Sequence, residues 1–200
     1  LKFINMKGVL LIFFLVPITV FCQNKYYFSQ TGSDGGSGSI GSPWKTLSKF
    51  ESVANAGTFS SGDSIFFKAN DTFIGNIKVG TTGGRHVKSG TAGSHIVVSS
   101  YSTGAKPMFL CNSAGSTPQN RTLFQFWGIR YWDFYNMNFT DTNTVNDKTT
   151  EANTKCGFPL YFGDPGTTKC ANLLVKNCDI TLCGMGIVLY GDSSQFIYNT

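Results

Sequence analysis

The stretch from Ala171 to Thr200, ANLLVKNCDITLCGMGIVLYGDSSQFIYNT, repeats itself. Asn172-Leu173-Leu174-Val175-Lys176-Asn177 returns 22 residues later as Ser194-Gln195-Phe196-Ile197-Tyr198-Asn199. Between the copies lie short apolar segments, around Ile180 and at Gly186-Ile187-Val188-Leu189, set apart by Gly and Asp turns. Apolar runs this short suit strands rather than helices. A fixed period of some tens of residues marks units that bury their apolar faces only by stacking. The pattern predicts rungs of a parallel β-solenoid.

Earlier rungs superpose on these. Asn136, Asn177 and Asn199 form one column, with Phe134, Val175 and Ile197 two positions before them and Phe139 and Ile180 three positions after the first two. Strand alternation turns Phe134, Val175 and Ile197 inward and sends Tyr135, Lys176 and Tyr198 outward. At a tight corner an Asn tolerates a left-handed backbone and bonds the matching amide one rung away. A second repeat, Cys156-Gly157-Phe158 through Gly163-Asp164, returns as Cys183-Gly184-Met185 through Gly191-Asp192 with one extra residue. The segments from Asp141 to Lys155 and from Pro165 to Cys170 then read as insertions between rungs. Stacked rungs lie about 4.8 Å apart, within the Cα range of a disulfide. Cys156 and Cys183 are therefore placed either to form a disulfide or to stack as thiols.

Ahead of the rungs, residues 6–22 carry Lys7, an apolar core from Val9 to Val16 and Pro17, the layout of a signal peptide cut before Gln23, with Met6 as a candidate start. The apolar run is short of the ~20 residues of a spanning helix. Export to the cell surface or medium is expected, without a stable membrane span. Tyr26-Tyr27-Phe28-Ser29 predicts a strand and Thr31 to Ser39 a loop. Ser42 as cap and Pro43 in the first turn predict a helix running to about Ala56, ended by Gly57. Gly36-Ser37-Gly38-Ser39-Ile40-Gly41 matches G-x-G-x-x-G, but the acidic residue of a dinucleotide fold belongs at the end of the next strand. Here Asp63 precedes that strand, so the match is a loop. Beyond it, the segments at Ser64, Phe73, Ile96, Lys106 and Leu123 are strand-length and separated by Gly, Ser and Pro.

The formal charge is +5; loss of Lys2 and Lys7 with the leader lowers it to about +3, and basic residues do not cluster as a nucleic-acid footprint would. Cys111, Cys156, Cys170, Cys178 and Cys183 remain, an odd number that leaves a thiol free. His86 and His95 stand apart from any Cys, so no zinc set is present. A monomer without nucleic-acid partners is expected.

The run from Tyr26 through Gly32-Ser33-Asp34, Ser42-Pro43-Trp44-Lys45-Thr46-Leu47, Ser61-Gly62-Asp63-Ser64-Ile65 and Ala105-Lys106-Pro107 resembles the entry cap of extracellular right-handed parallel β-helix proteins of the pectin-lyase-like superfamily. Ser61 stands where that family usually has Pro. The resemblance covers about residues 26–200. It implies an all-β right-handed parallel β-helix with a short N-terminal capping helix: leader 1–22, strand and capping helix 23–60, rungs 61–200 with further rungs after them. It also implies an exported protein acting on extracellular polysaccharide, a lyase on a uronate-containing polymer ahead of a glycoside hydrolase. A non-catalytic surface, adhesion or carbohydrate-binding protein is the alternative.

The residues identify no cofactor and no metal set; the resemblance alone brings in calcium. Lyase chemistry needs a base at C5 and a charge that neutralises the uronate carboxylate. The sequence completes no catalytic set within residue 200. Its substrate-binding candidates are the outward column Tyr135, Lys176 and Tyr198, where aromatic rings stack on sugars and Lys pairs with a carboxylate, and the insertion residues Asp141, Glu151 and Lys155. Asn70, Asn120 and Asn138 fit the glycosylation pattern, relevant only to a eukaryotic host.

Overall fold

Short β-favouring runs joined by left-handed corners can bury a hydrophobic face only by coiling and stacking, and the chain does so. The computed structural model describes residues 23–80, 87–111, 122–141, 158–163, 169–181, 183, 186–192 and 194–198. Strand β1 (Lys25–Phe28) and helix α1 (Leu47–Asn55) precede the coil. The first turn holds β2 (Ser64–Lys68), β3 (Thr72–Ile74) and β4 (Ile77–Val79). The second holds β5 (Ile96–Tyr101), β6 (Met108–Cys111) and β7 (Thr122–Phe126). The third holds β8 (Trp132–Tyr135), β9 (Asn138–Asp141), β10 (Phe158–Phe162) and β11 (Cys170–Ala171). Next come β12 (Leu174–Thr181), β13 (Ile187–Leu189) and β14 (Gly191–Asp192), and β15 (Gln195–Tyr198) opens another turn.

All strand pairs are parallel. The first sheet runs β1-β2-β5-β8-β12, with β15 beside β12. The second runs β3-β6-β9 and ends on the C-terminal half of β12. The third runs β4-β7-β10-β13, and β11 pairs with β14. This is the predicted right-handed parallel β-helix.

The interior is a set of in-register ladders. Ile65, Val98, Phe134 and Val175 line the first sheet. Phe73, Phe109 and Phe139 line the second, with successive rings 5.6 and 5.3 Å apart and nearly parallel. Phe126 and Phe162 stack at 5.6 Å in the third. All are fully buried. Offset stacks of this kind add about 0.5–1.5 kcal/mol per pair beyond burial of their area, so Phe at a rung position is worth more than its hydrophobicity.

Helix α1 closes the entry end, turning Leu47, Phe50, Val53 and Ala54 inward. It starts later than Ser42 and Pro43 predicted. Trp44 is held extended: its N–H donates to Tyr27, and its carbonyl accepts from Ser29, at 2.9 and 2.8 Å. The Asp34 carboxylate then takes the Lys45 and Thr46 amides and the Thr46 hydroxyl. Thr46 itself caps the helix, accepting from the Lys49 N–H. Tertiary pairing outweighed the local Ser-Pro signal. Gly57, at φ 71°, ends the helix as predicted. The Gly36–Gly41 segment wraps the Trp44 indole, whose Nε1–H donates to the Gly36 carbonyl. A Cβ on Gly38 would lie 2.7 Å from that ring.

The Asn corner is present. Asn136 and Asn177 sit at φ 56° and 54°. The Asn177 amide donates to the Asn136 side-chain oxygen at 2.6 Å, and Asn136 Nδ2 continues to Ser99 Oγ at 3.4 Å. Asn199 lies outside the described residues. The last turn departs from the predicted register: β15 lies one residue off, with Gln195 beside Leu174, Phe196 beside Val175 and Ile197 beside Lys176, and a bulge between Lys176 and Cys178 then sets Tyr198 beside Cys178. Cys170, predicted in an insertion, is a strand residue, and Asp192 pairs with Ala171; Asp164 lies outside the described residues. Among the described residues no helix is long and apolar enough to cross a membrane.

Cys170, Cys178 and Cys183 are free thiols. The Cys183 thiol donates to the Thr181 carbonyl at 3.2 Å and forms no bridge; Cys156 lies outside the described residues. Burial pushes the Cys170 and Cys178 thiols up to about 11 from an ordinary value of 9.0. As pH rises past 9, the unfolded chain releases two protons that the native chain keeps. Stability is therefore intact below pH 9 and falls between about pH 9 and 11, by roughly 2–3 kcal/mol per thiol. Urea midpoints compared at pH 8 and 10.5 should show that loss, and Cys170→Ala/Cys178→Ala should flatten it.

Candidate functional site on the outer face of the first sheet

Alternation along β8 puts Trp132 and Phe134 in the core and Asp133 and Tyr135 outside. Asp133 lies in register between Val97 and Leu174, an acid flanked by two apolar neighbours. It is only 7% exposed, and both its oxygens are taken. Oδ1 is 2.8 Å from His95 Nδ1, and Oδ2 accepts the Tyr135 hydroxyl at 3.1 Å. Burial and the Asp133 charge raise the Tyr135 phenol above its ordinary value, so it remains a donor.

His95 is presented by a tight turn. Thr91 and Ser94 exchange both backbone hydrogen bonds at 3.0 Å. The Ser61 hydroxyl, where the resembling family has Pro, donates to the Ser94 carbonyl at 2.6 Å and so ties the turn to the cap. An imidazole that donates Nδ1–H to a carboxylate offers its Nε2 lone pair. His95 is one-third exposed, on a cavity of about 280 Å³ that it lines with Tyr131, Asn172, Leu174 and Gln195.

Tyr131 has a left-handed backbone, φ 56°. For a residue with a Cβ that conformation costs about 1–2 kcal/mol. Its N–H donates to the Ala171 carbonyl and its carbonyl accepts from Ile96 N–H, at 3.2 and 2.9 Å. Gly90 is pressed so close that a Cβ there would lie 2.5 Å from that carbonyl. The Tyr131 ring stands 5.4 Å from the His95 imidazole at 55°.

The rest of the face is graded. Toward the entry cap, Tyr27 stacks on Phe66 at 5.4 Å and meets Tyr101 edge-on at 5.1 Å. On the other side of Tyr135, in register with it, is the exposed Lys176.

Of the predicted binding residues, Tyr135 and Lys176 stack as expected. Tyr198 is not in their column, because β15 pairs one residue out of the predicted register and places Ile197 beside Lys176. Asp141 ends β9 in the second sheet beside Cys111, away from this face. Glu151 and Lys155 lie outside the described residues. His95, Asp133 and Tyr131 were missed. Asp133 was legible, because it shares the outward side of its strand with Tyr135. His95 was not, because it precedes its strand on a turn that no repeat aligns.

A hard cation such as calcium takes about six to eight oxygen ligands. Among the described residues no three His, Cys, Asp or Glu side chains converge, and both Asp133 oxygens are engaged. This donor set does not fit calcium.

No protein-family model and no curated protein matches the chain. Among solved structures it is similar to the GH136 lacto-N-biosidase from Eubacterium ramulus, at a TM-score of 0.55 and 18% identity over 78% of this chain and 27% of that one. It is also similar to a structure described as a rhamnogalacturonan lyase, at a TM-score of 0.49 and 17% identity over 82% of this chain and 37% of the other. The likeness is one of fold, and this chain spans well under half the length of either protein.

Proposed function

We propose that this chain is an exported protein that acts on a uronate-containing polysaccharide at the outer face of the first sheet, by elimination rather than hydrolysis. One observation carries the reading: an Asp-oriented imidazole, His95, on a cavity in an open sheet face, with an exposed Lys two rungs on. A polymer laid along the face passes rings at Tyr27, Phe66 and Tyr101, then His95, then Lys176. The similarity of fold to a lacto-N-biosidase supports a carbohydrate ligand.

In the elimination, Lys176 pairs with the uronate carboxylate and makes the adjacent C5 proton more acidic. His95 Nε2 takes that proton, and Asp133 stabilises the imidazolium that forms. The C5–H electrons become the C4–C5 double bond, the C4–O bond breaks, and the departing oxygen takes a proton from water. Glycosidic hydrolysis instead uses two carboxyl groups about 5 to 9.5 Å apart. Among the described residues of this face Asp133 is the one acid, and it is committed to His95 and Tyr135.

The test incubates the protein with polygalacturonate, alginate and hyaluronan. Elimination predicts ultraviolet absorbance from unsaturated uronate in step with new reducing ends. Reducing ends without absorbance would show hydrolysis. Binding with neither product would show a carbohydrate-binding protein, the alternative.

A further inference from the structure

We infer that Tyr131 is the stacking platform for the sugar ring that His95 addresses, and that the chain keeps a tyrosine at a left-handed corner for this purpose. The inference rests on the polysaccharide reading of this face.

The corner itself does not ask for tyrosine. Among the described residues with positive φ, the others bearing a side chain are Asn70, Ser102, Asn136, Asn172 and Asn177. All are small and polar, and Asn bonds its own backbone neighbourhood well in this conformation. Asn172 holds the matching corner one rung on, at φ 52°. Tyr131 is the only aromatic among them. Its ring is not in the core; it is half-buried on the cavity wall.

The geometry explains what the ring is for. At 55° and 5.4 Å from the imidazole, the two rings form an open wedge rather than a stack. A pyranose whose C–H face lies on the phenol ring would bring its edge toward His95. Leu174 supplies apolar wall, and Asn172 and Gln195 supply hydrogen-bonding groups around the same cavity, the usual mixture of a ligand site. The backbone bonds to Ala171 and Ile96 and the contact of Gly90 fix the strained residue in place. Strain held so firmly beside a cavity points to function. The ligand class is a six-membered sugar ring with one apolar face, carried in an acidic polymer.

The experiment compares Tyr131→Asn, Tyr131→Phe and Tyr131→Ala in the full chain. Thermal midpoints are read with no ligand, and affinities by calorimetry with oligomers of galacturonate, alginate and hyaluronan. Tyr131→Asn should melt no lower than wild type, and Tyr131→Ala below Tyr131→Asn, because Ala resists positive φ. For the oligomer that wild type binds best, Tyr131→Asn should lose at least about tenfold in affinity and Tyr131→Phe less than about threefold. Equal binding by wild type and Tyr131→Asn would overturn the inference alone. So would a midpoint for Tyr131→Asn well below wild type, which would make the ring a packing residue. If wild type bound none of the three, the inference and the polysaccharide reading would fall together.

Discussion

Replacing His95 with Gln should lower elimination activity by about 10²–10⁴-fold, the range a positioned general base contributes, while the melting temperature changes little. Gln keeps an N–H for Asp133 but offers no basic nitrogen. The imidazole is one-third exposed and rides on a turn outside the stacked core, so the fold has small stake in it. Initial rates of unsaturated-product formation, with circular dichroism on the same sample, check both halves. Asp133→Asn should also depress the rate, since an amide that donates to Nδ1 leaves the proton on Nε2. A His95→Gln protein with wild-type rates would remove the imidazole from the chemistry.

Phe109→Ala should cost about 3–5 kcal/mol of unfolding free energy, the range for a large aromatic cut out of a packed core. Its ring lies 5.0 Å from Phe67, 5.6 Å from Phe73, 5.1 Å from Phe124 and 5.3 Å from Phe139. One deletion therefore removes ring contacts across three turns of the coil and among all three walls of its interior. Ile74→Ser is the control: Ile74 is on the same short sheet but 57% exposed, and surface changes usually stay within about 0.5 kcal/mol. Denaturant titrations of both variants give the comparison. If the two cost the same, the ladder of rings is not what holds adjacent turns together.

What the sequence made legible follows the same physics. Phe134 and Val175 were readable as core, and Tyr135 and Lys176 as an outward pair, because strand alternation and rung period are both local rules. Asn136 and Asn177 were readable because left-handed corners select few side chains. Where a local signal and a long-range one competed, the long-range one won: Ser42-Pro43 announces a helix, but Trp44 is claimed by strand pairing with Tyr27 and Ser29. At the far end β15 pairs with β12 one residue away from the repeat spacing, placing Ile197 rather than Tyr198 beside Lys176, and a slip of one exchanges the two faces of a strand. His95 and Asp133 are 38 positions apart and meet only because neighbouring turns stack. Their pairing needs the coil to be closed before it exists, which a repeat pattern of apolar residues does not encode. Tyr131 was hidden for the opposite reason. A tyrosine gives no hint, in one sequence, that its backbone is left-handed.

The outer face of the first sheet as the polysaccharide site is the central claim, and imidazole and tyrosine ring resonances test it most directly. The chain has two histidines, so the His95 signal is assigned with a single variant. Titration with the acidic oligosaccharide that binds best should shift His95, Tyr131 and Tyr135 together along one saturation curve. It should leave still Tyr161 and Tyr190, whose rings meet 5.7 Å apart at the third sheet. Shifts confined to Tyr161 and Tyr190, with His95 unmoved at saturation, would contradict it.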